Sequence, residues 1–318
     1  MKKALLTLLA LTVATAPMVA NAESYAYLVG IKDYPTPTDA QGNPLKDEKG
    51  NVVDNDLAGP VNDCNAIQSL LNLKYGYSLS NIRKSYDKDA TGKNFLENIK
   101  WLATTAKAGD NVTFYYSGHG AQLENDKAKE PDPKDKIDET LVLADGMLVV
   151  DDIFDEIKGI LTANGVNVTF VFDSCFSGGM SRNFLINGRP AREKFLNKGQ
   201  VGANYKSMTR SMMNNWRPTI DTIKTRASFN PVGSAAWIYA SKESEPSVDL
   251  GAAGADSPAH GLFTLLLTAI LEDAPKAPAK DLVEAINEFA TEKGFKQGPN
   301  TEFSNSTRAN QPVFLSSN

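Results

Sequence analysis

The tetrapeptide Asn-Val-Thr-Phe occurs twice, at 111–114 and 167–170, and each copy opens a run that stays largely apolar up to an abrupt turn. The first reads NVTFYYS and stops at Gly118-His119-Gly120. The second reads NVTFVFD and stops at Ser174-Cys175-Phe176-Ser177-Gly178-Gly179. Such runs suit strands covered on both faces, which requires helices on each side of the sheet. The rest of the chain supplies them. Strands are predicted at 24–31, 81–87, 111–117, 139–145, 147–150, 167–173, 235–241 and 311–316, and helices at 61–73, 90–110, 151–165, 260–273 and 280–294. Polar, Pro- and Gly-containing loops are expected at 32–58 and 121–137. Strands alternating with helices imply an α/β fold around a mainly parallel sheet, with helices on both faces.

Residues 1–22 carry Lys2 and Lys3, then an apolar run, then Ala20-Asn21-Ala22, the pattern of a secretory leader cleaved before Glu23. The apolar run is short for a bilayer span and is interrupted by Thr and Pro17, and no later segment is longer. Export to the periplasm or beyond is expected, with no membrane attachment once the leader is removed. The chain has 38 acidic and 33 basic residues, an acidic balance that argues against nucleic acid as a partner. From 181 to 232 the composition shifts. Ten Lys and Arg side chains, many Asn and Met residues and little apolar periodicity predict a long, partly mobile basic linker.

Chemistry collects at the two matching strand ends. In open α/β sheets, sites form beyond the carboxyl ends of strands, so His119 and Cys175 are expected to be spatial neighbours. A nearby imidazole takes the proton of a thiol and turns it into a strong nucleophile. Flanking glycines admit a substrate backbone and free the N–H groups of Gly120 and Cys175 to face a developing oxyanion. Cys175 alone reads equally as a small buried hydrophobe, and His119 alone as a surface residue. The glycine and serine setting around both strand ends favours the reactive reading. His260, the other histidine, opens an apolar helix and is expected to serve as a terminus or packing residue.

YSGHG (116–120) and DSCFSGG (173–179) resemble the His and Cys boxes of the caspase-like cysteine peptidases of metacaspase type. LAGPVNDCNAI (57–67), the 89–102 helix, DETLVLAD (138–145), VVDDIF (149–154) and ASKESEPSVDL…HGLFTLLL (240–267) fall in the family's order. The resemblance implies a caspase-like three-layer sandwich with a six-stranded, mainly parallel sheet. It also implies one peptidase domain over 23–318, with a large-subunit-like part to about 180, the linker, and a small-subunit-like part from about 233. Cys175 is then the nucleophile and His119 the base of a dyad that cleaves peptide bonds. Asp63, Ser117 and Asp173 line the pocket for the residue before the scissile bond, and two carboxylates there attract Arg or Lys. Cys64, beside Asp63, is a packing residue, and both thiols are expected to be reduced in the active form. The chemistry needs no cofactor. Ca²⁺ is implied as an activator on Asp138, Asp151 and Asp152, although Asp151 and Asp152 also suit a helix N-terminus. An acidic ligand expected past the cysteine is replaced by Ser181-Arg182-Asn183.

The expected function is therefore an exported cysteine endopeptidase acting on protein or peptide substrates after Arg or Lys, and processing itself within the basic linker. The alternatives are a catalytically silent caspase-like binding module and a peptidase specific for Asp.

Overall fold

A computed structural model describes residues 22–124, 137–176, 184–186, 188–208, 212, 233–242, 245–254 and 257–316. In chain order the elements are β1 (Ser24–Gly30), α1 (Pro60–Tyr75), β2 (Ile82–Tyr86), α2 (Gly92–Thr105), β3 (Asn111–Ser117), β4 (Gly120–Glu124), β5 (Ile137–Val142), β6 (Met147–Val150), α3 (Asp151–Ala163), β7 (Asn167–Asp173), β8 (Phe184–Ile186), β9 (Arg189–Glu193), β10 (Phe195–Leu196), β11 (Lys206–Ser207), β12 (Ala235–Tyr239), β13 (Val248–Leu250), β14 (His260–Gly261), α4 (Leu262–Asp273), α5 (Ala279–Glu292), β15 (Asn300–Phe303) and α6 (Ser306–Ala309).

Six strands form the main sheet in the order β15-β12-β7-β3-β1-β2. All neighbours are parallel except the β15 edge. Successive strand side chains point to opposite faces, and this sorts the apolar residues into two cores. Tyr27, Val29, Phe114, Tyr116, Phe170 and Phe172 pack on one face with Phe95 and Ile99 of α2 and Phe154 of α3. The Phe154 ring lies 5.2 Å from those of both Phe114 and Phe172. Ala26, Leu28, Tyr115 and Val171 face the other way, onto Ile67 of α1, Phe263 of α4 and Leu282 of α5. Cys64 belongs to this second core. The expected three-layer α/β sandwich is therefore present. Thr91 caps α2 as its sequence suggests, accepting from the Asn94 amide at 3.3 Å.

Four expectations need correction. The apolar segment 311–316 is not a strand. Val313 and Phe314 are fully buried in the second core, but the Arg308 guanidinium takes the carbonyls of Pro312 and Val313 at 2.8 and 2.7 Å. Those acceptors are thus lost to a β-ladder, and the edge is filled by the polar β15 instead. The loop expected at 121–137 begins as β4, which pairs antiparallel with β5. The third correction concerns the linker. Much of 184–208 is ordered: β8 and β9 join β13 and β14 in one sheet, and β10 and β11 flank β4, β5 and β6 in another. The helix expected from 260 begins at Leu262, because His260 and Gly261 pair with β13. The predicted leader, residues 1–22, lies outside the described residues apart from Ala22. No described helix is long and apolar enough to cross a membrane.

Arg308 is fully buried and also donates to Thr169 Oγ1 on β7 at 2.7 Å. Burial pulls its pKa down to about 10, so the guanidinium stays charged at neutral pH. Arg308→Ala removes three hydrogen bonds and empties the buried space of its side chain, although Thr169 Oγ1 and the Val313 carbonyl keep their own bond at 3.1 Å. The expected loss is about 3 kcal/mol of unfolding free energy, read from the urea midpoint.

Candidate active site

The two Asn-Val-Thr-Phe strands lie side by side in matching register, from Asn111 opposite Asn167 to Ser117 opposite Asp173. His119 and Cys175 each follow two residues beyond this last pair, so the pairing alone brings the two boxes to one sheet edge. The approach is close. A Cβ on Gly120 would fall on the Cys175 carbonyl, which makes glycine necessary there.

Asp63, Ser117 and Asp173 are brought together as expected, all fully buried. Asp63 enters from the first turn of α1, where it accepts from Ser117 Oγ at 2.7 Å, from the Gly261 amide at 3.0 Å and from His260 Nδ1 at 2.9 Å. Asp173 accepts from Thr264 Oγ1 at 2.6 Å and from Ser247 Oγ at 3.0 Å. His260, expected as a terminus or packing residue, stands just before α4 and places Nδ1 2.9 Å from Asp63 Oδ1. It braces the pocket carboxylate.

The pocket is filled by the protein itself. Lys194, just past β9, puts its ammonium 3.0 Å from Asp173 Oδ1, 3.3 Å from Asp63 Oδ2 and 2.9 Å from Ser117 Oγ, with no exposed surface. Burial alone would lower the lysine pKa, but Asp173 and Asp63 outweigh it and hold it above its ordinary value. Burial likewise opposes the Asp63 carboxylate, yet the Lys194 charge and the His260 and Ser117 hydrogen bonds hold its pKa low. Asp173 has burial against it and shares Lys194 with Asp63, so its pKa is raised.

The Lys194 main chain is held as well. Its carbonyl accepts from the Gly120 N–H at 2.9 Å and from the Cys175 N–H at 3.2 Å. These are the two amides expected to face an oxyanion. Its own N–H donates to the Ser247 carbonyl at 2.9 Å. β9 runs antiparallel to β13 on one side of this lysine, and β10 runs beside Gly120-Ala121 of β4 on the other. Lys194 therefore stands at a bend between β9 and β10, with its carbonyl held between the Gly120 and Cys175 amides.

His119 is fixed from several sides. Its N–H donates to Tyr34 Oη at 2.8 Å, and the Tyr116 hydroxyl sits 2.7 Å from its carbonyl. Nε2 lies 2.7 Å from the Asn55 carbonyl. A carbonyl only accepts, so Nε2 carries the proton and Nδ1 the lone pair. Nδ1 is buried without a hydrogen-bond partner. The Cys175 thiol, fully buried, donates to the Glu245 carbonyl at 3.3 Å. Cys64 and Cys175 are both thiols, not joined in a disulfide.

Residues 23–311 match the caspase domain of the Peptidase C14 family. The chain belongs to that family. It is a family of cysteine endopeptidases. Over 135 residues the sequence is 36% identical to Metacaspase-1 of Candida albicans, a stretch covering 39% of this chain and 30% of that protein. It is 34% identical over 130 residues to Metacaspase-6 of Arabidopsis thaliana, covering 39% and 34%. The matched stretch thus spans about a third of these curated relatives. A solved structure of a Geobacter sulfurreducens protein superposes with a TM-score of 0.60 at 21% identity, over 92% of this chain and 98% of that one. It shares the fold.

In this caspase domain the residues expected to hold Ca²⁺ do not close into a site among the described residues, where no three His, Cys, Asp or Glu side chains converge on a metal position. Asp138 lies on β5, and Asp151 and Asp152 open α3. Ser181, Arg182 and Asn183 lie outside the described residues. Sequence reasoning missed Lys194 as the pocket's occupant, Asn55 as the partner of His119, and Thr264 as the brace of Asp173. Only Lys194 carried a signal, as one of ten basic residues in the linker of a chain with an acidic pocket.

Burial, together with the Lys194 and Arg192 charges, lowers the His119 pKa from 6.5 to about 3. The unfolded chain binds a proton here below about pH 6.5, whereas the folded chain stays neutral. Stability is thus present above pH 6.5 and lost as pH falls below it. Between pH 7 and pH 5 this site removes about 2 kcal/mol. On a Cys175→Ala background, His119→Gln is expected to lose about that much less over the same interval in urea unfolding. Equal losses would show that His119 is not held neutral.

Proposed function

We propose that this protein is a cysteine endopeptidase that cuts after Lys or Arg, and that its own Lys194–Phe195 bond is its first substrate. The observation that carries this reading is Lys194, with its ammonium between Asp63 and Asp173 and its carbonyl between the N–H groups of Gly120 and Cys175.

The reaction follows from these contacts. His119 Nδ1 takes the proton from Cys175 Sγ, and the thiolate attacks the Lys194 carbonyl carbon. The oxygen becomes an anion and keeps the two amide hydrogen bonds, which strengthen as its charge grows. The C–N bond to Phe195 breaks as the imidazolium returns its proton to the departing amine. A thioester remains on Lys194. Water, deprotonated by the same nitrogen, releases a carboxylate and restores the thiol. Throughout, the Asn55 carbonyl holds the Nε2 proton and stabilises the imidazolium when it forms.

A peptide ending in Asp would bring a third carboxylate beside Asp63 and Asp173 without a cation, which the buried pocket opposes. A silent binding module would need neither a buried imidazole nitrogen without a hydrogen-bond partner nor a carbonyl held by two amides. Ca²⁺ enters this reading only as an activator outside the chemistry, and the leader over 1–22 as the route out of the cytoplasm.

Incubation of the full chain, with and without Ca²⁺, is expected to yield two fragments, the second beginning at Phe195 by N-terminal sequencing, while Cys175→Ala stays whole. Splitting of the Cys175→Ala chain, or fragments that begin elsewhere, would defeat the assignment. Specificity has its own test. A Cβ on Gly261 would fall on both Asp173 Oδ2 and the Lys194 ammonium. Gly261→Ala is therefore expected to lower turnover of Lys and Arg substrates at least about 100-fold while leaving Cys175 open to alkylation by iodoacetamide.

A further inference from the structure

Upstream of Lys194 the docked strand makes a second charged contact. β9 pairs with β13 so that Arg192 lies opposite Asp249 and Ala191 opposite Leu250. Alternate residues of a strand share a face, so Arg192 projects on the same side as Lys194. There it meets the loop before α1. One guanidinium nitrogen, Nη2, donates to Asp54 Oδ2 at 2.9 Å, and the other, Nη1, donates to the Asp56 carbonyl.

The loop is built to hold that position. Asp249 on β13 accepts from the Ala58 and Gly59 amides at 2.6 and 2.9 Å, so the strand that receives the peptide also anchors the loop. Asp56 Oδ1 accepts from the Tyr34 amide and Asp54 Oδ1 from the Asp56 amide, at 2.8 and 2.9 Å. Between the two aspartates, the Asn55 carbonyl holds His119. The tripeptide Asp54-Asn55-Asp56 thus faces the docked arginine with its two aspartates and the histidine with its middle carbonyl. Burial works to raise the Asp54 pKa, but the Arg192 hydrogen bond and charge, with the Asp56 amide, bring it below the ordinary value. Asp56 shifts the other way, raised by burial and by the neighbouring Asp54 and Asp33 charges, so Asp54 is the stronger carboxylate of the two.

We propose that Asp54 and Asp56 form an acidic subsite for the third residue before the scissile bond, so that the enzyme selects chains reading Arg-x-Lys or Arg-x-Arg. Arg suits this position better than Lys, because its planar fork reaches a carboxylate and a carbonyl at once. The inference rests on the peptidase reading above and extends its specificity from one basic residue to two. The pair is partly exposed, with side-chain accessibilities of 33% for Arg192 and 56% for Asp54, so its contribution is modest.

The test uses the full chain and hexapeptides of the form Ala-X-Glu-Lys-Phe-Leu, with X as Arg, Ala or Glu. The value of kcat/KM is expected to fall about fivefold from Arg to Ala and further to Glu. Asp54→Lys is expected to reverse the order of Arg and Glu, a change that a merely structural role for Asp54 would not produce. Rates equal within about twofold across X, or an Arg-to-Glu ratio unchanged by Asp54→Lys, overturn the subsite. A chain that splits itself but cleaves none of the hexapeptides overturns it as a selector of substrates. A chain that does neither overturns the peptidase reading beneath it.

Discussion

A lysine ammonium buried between two carboxylates is the contact on which the functional half of this molecule depends. Removing such charges from water is costly, and their attraction offsets the cost only with close geometry and further hydrogen bonds. Lys194, Asp63 and Asp173 meet that condition as a set. Asp63 has Ser117, His260 and the Gly261 amide, and Asp173 has Thr264 and Ser247. Loss of Lys194 would leave two buried carboxylates without a cation, so their shared burial depends on it. This anchoring explains how a stretch with little apolar periodicity can be ordered. The lysine fixes the chain in the pocket, and the flanking residues find backbone partners on β13 and β4.

The same arrangement sets the chemistry. With Lys194 in place, the imidazole of His119 is dry, close to two cations and neutral. A base with so low a pKa accepts a proton reluctantly. On the proposed reading, departure of the segment after cleavage would remove both cations and admit water, reversing the causes of the shift. The docked segment holds the base below its ordinary strength and would present the first bond to be cut. The loop 54–56 stands at the junction, touching the bound strand with its aspartates and His119 with the carbonyl between them.

Much of this was legible in the chain. The repeated Asn-Val-Thr-Phe fixed two buried strands, and their in-register pairing carried His119 and Cys175 to one edge. The period-two sorting of Phe114, Tyr115 and Tyr116 between two cores follows from the same run. Asp63, Ser117 and Asp173 were legible through the resemblance of the boxes around them. The failures have definite causes. Val313 and Phe314 were apolar enough for a strand, but Arg308, an ordinary surface residue by composition, took the carbonyls a ladder would need. The linker was misjudged because its order comes from strand addition and one buried ion cluster, and neither leaves a hydrophobic pattern.

What the sequence determined by itself was the α/β class, the parallel core and the pair of reactive strand ends. Each follows from local periodicity and from small residues at strand ends. The tertiary structure alone decided which of ten basic linker residues enters the acidic pocket. It also decided which carbonyl orients His119 and which loop meets Arg192. Those outcomes depend on distances between segments far apart in the chain, such as the 131 positions between Asp63 and Lys194. No local pattern encodes them, because they exist only once the sheet has brought the segments together.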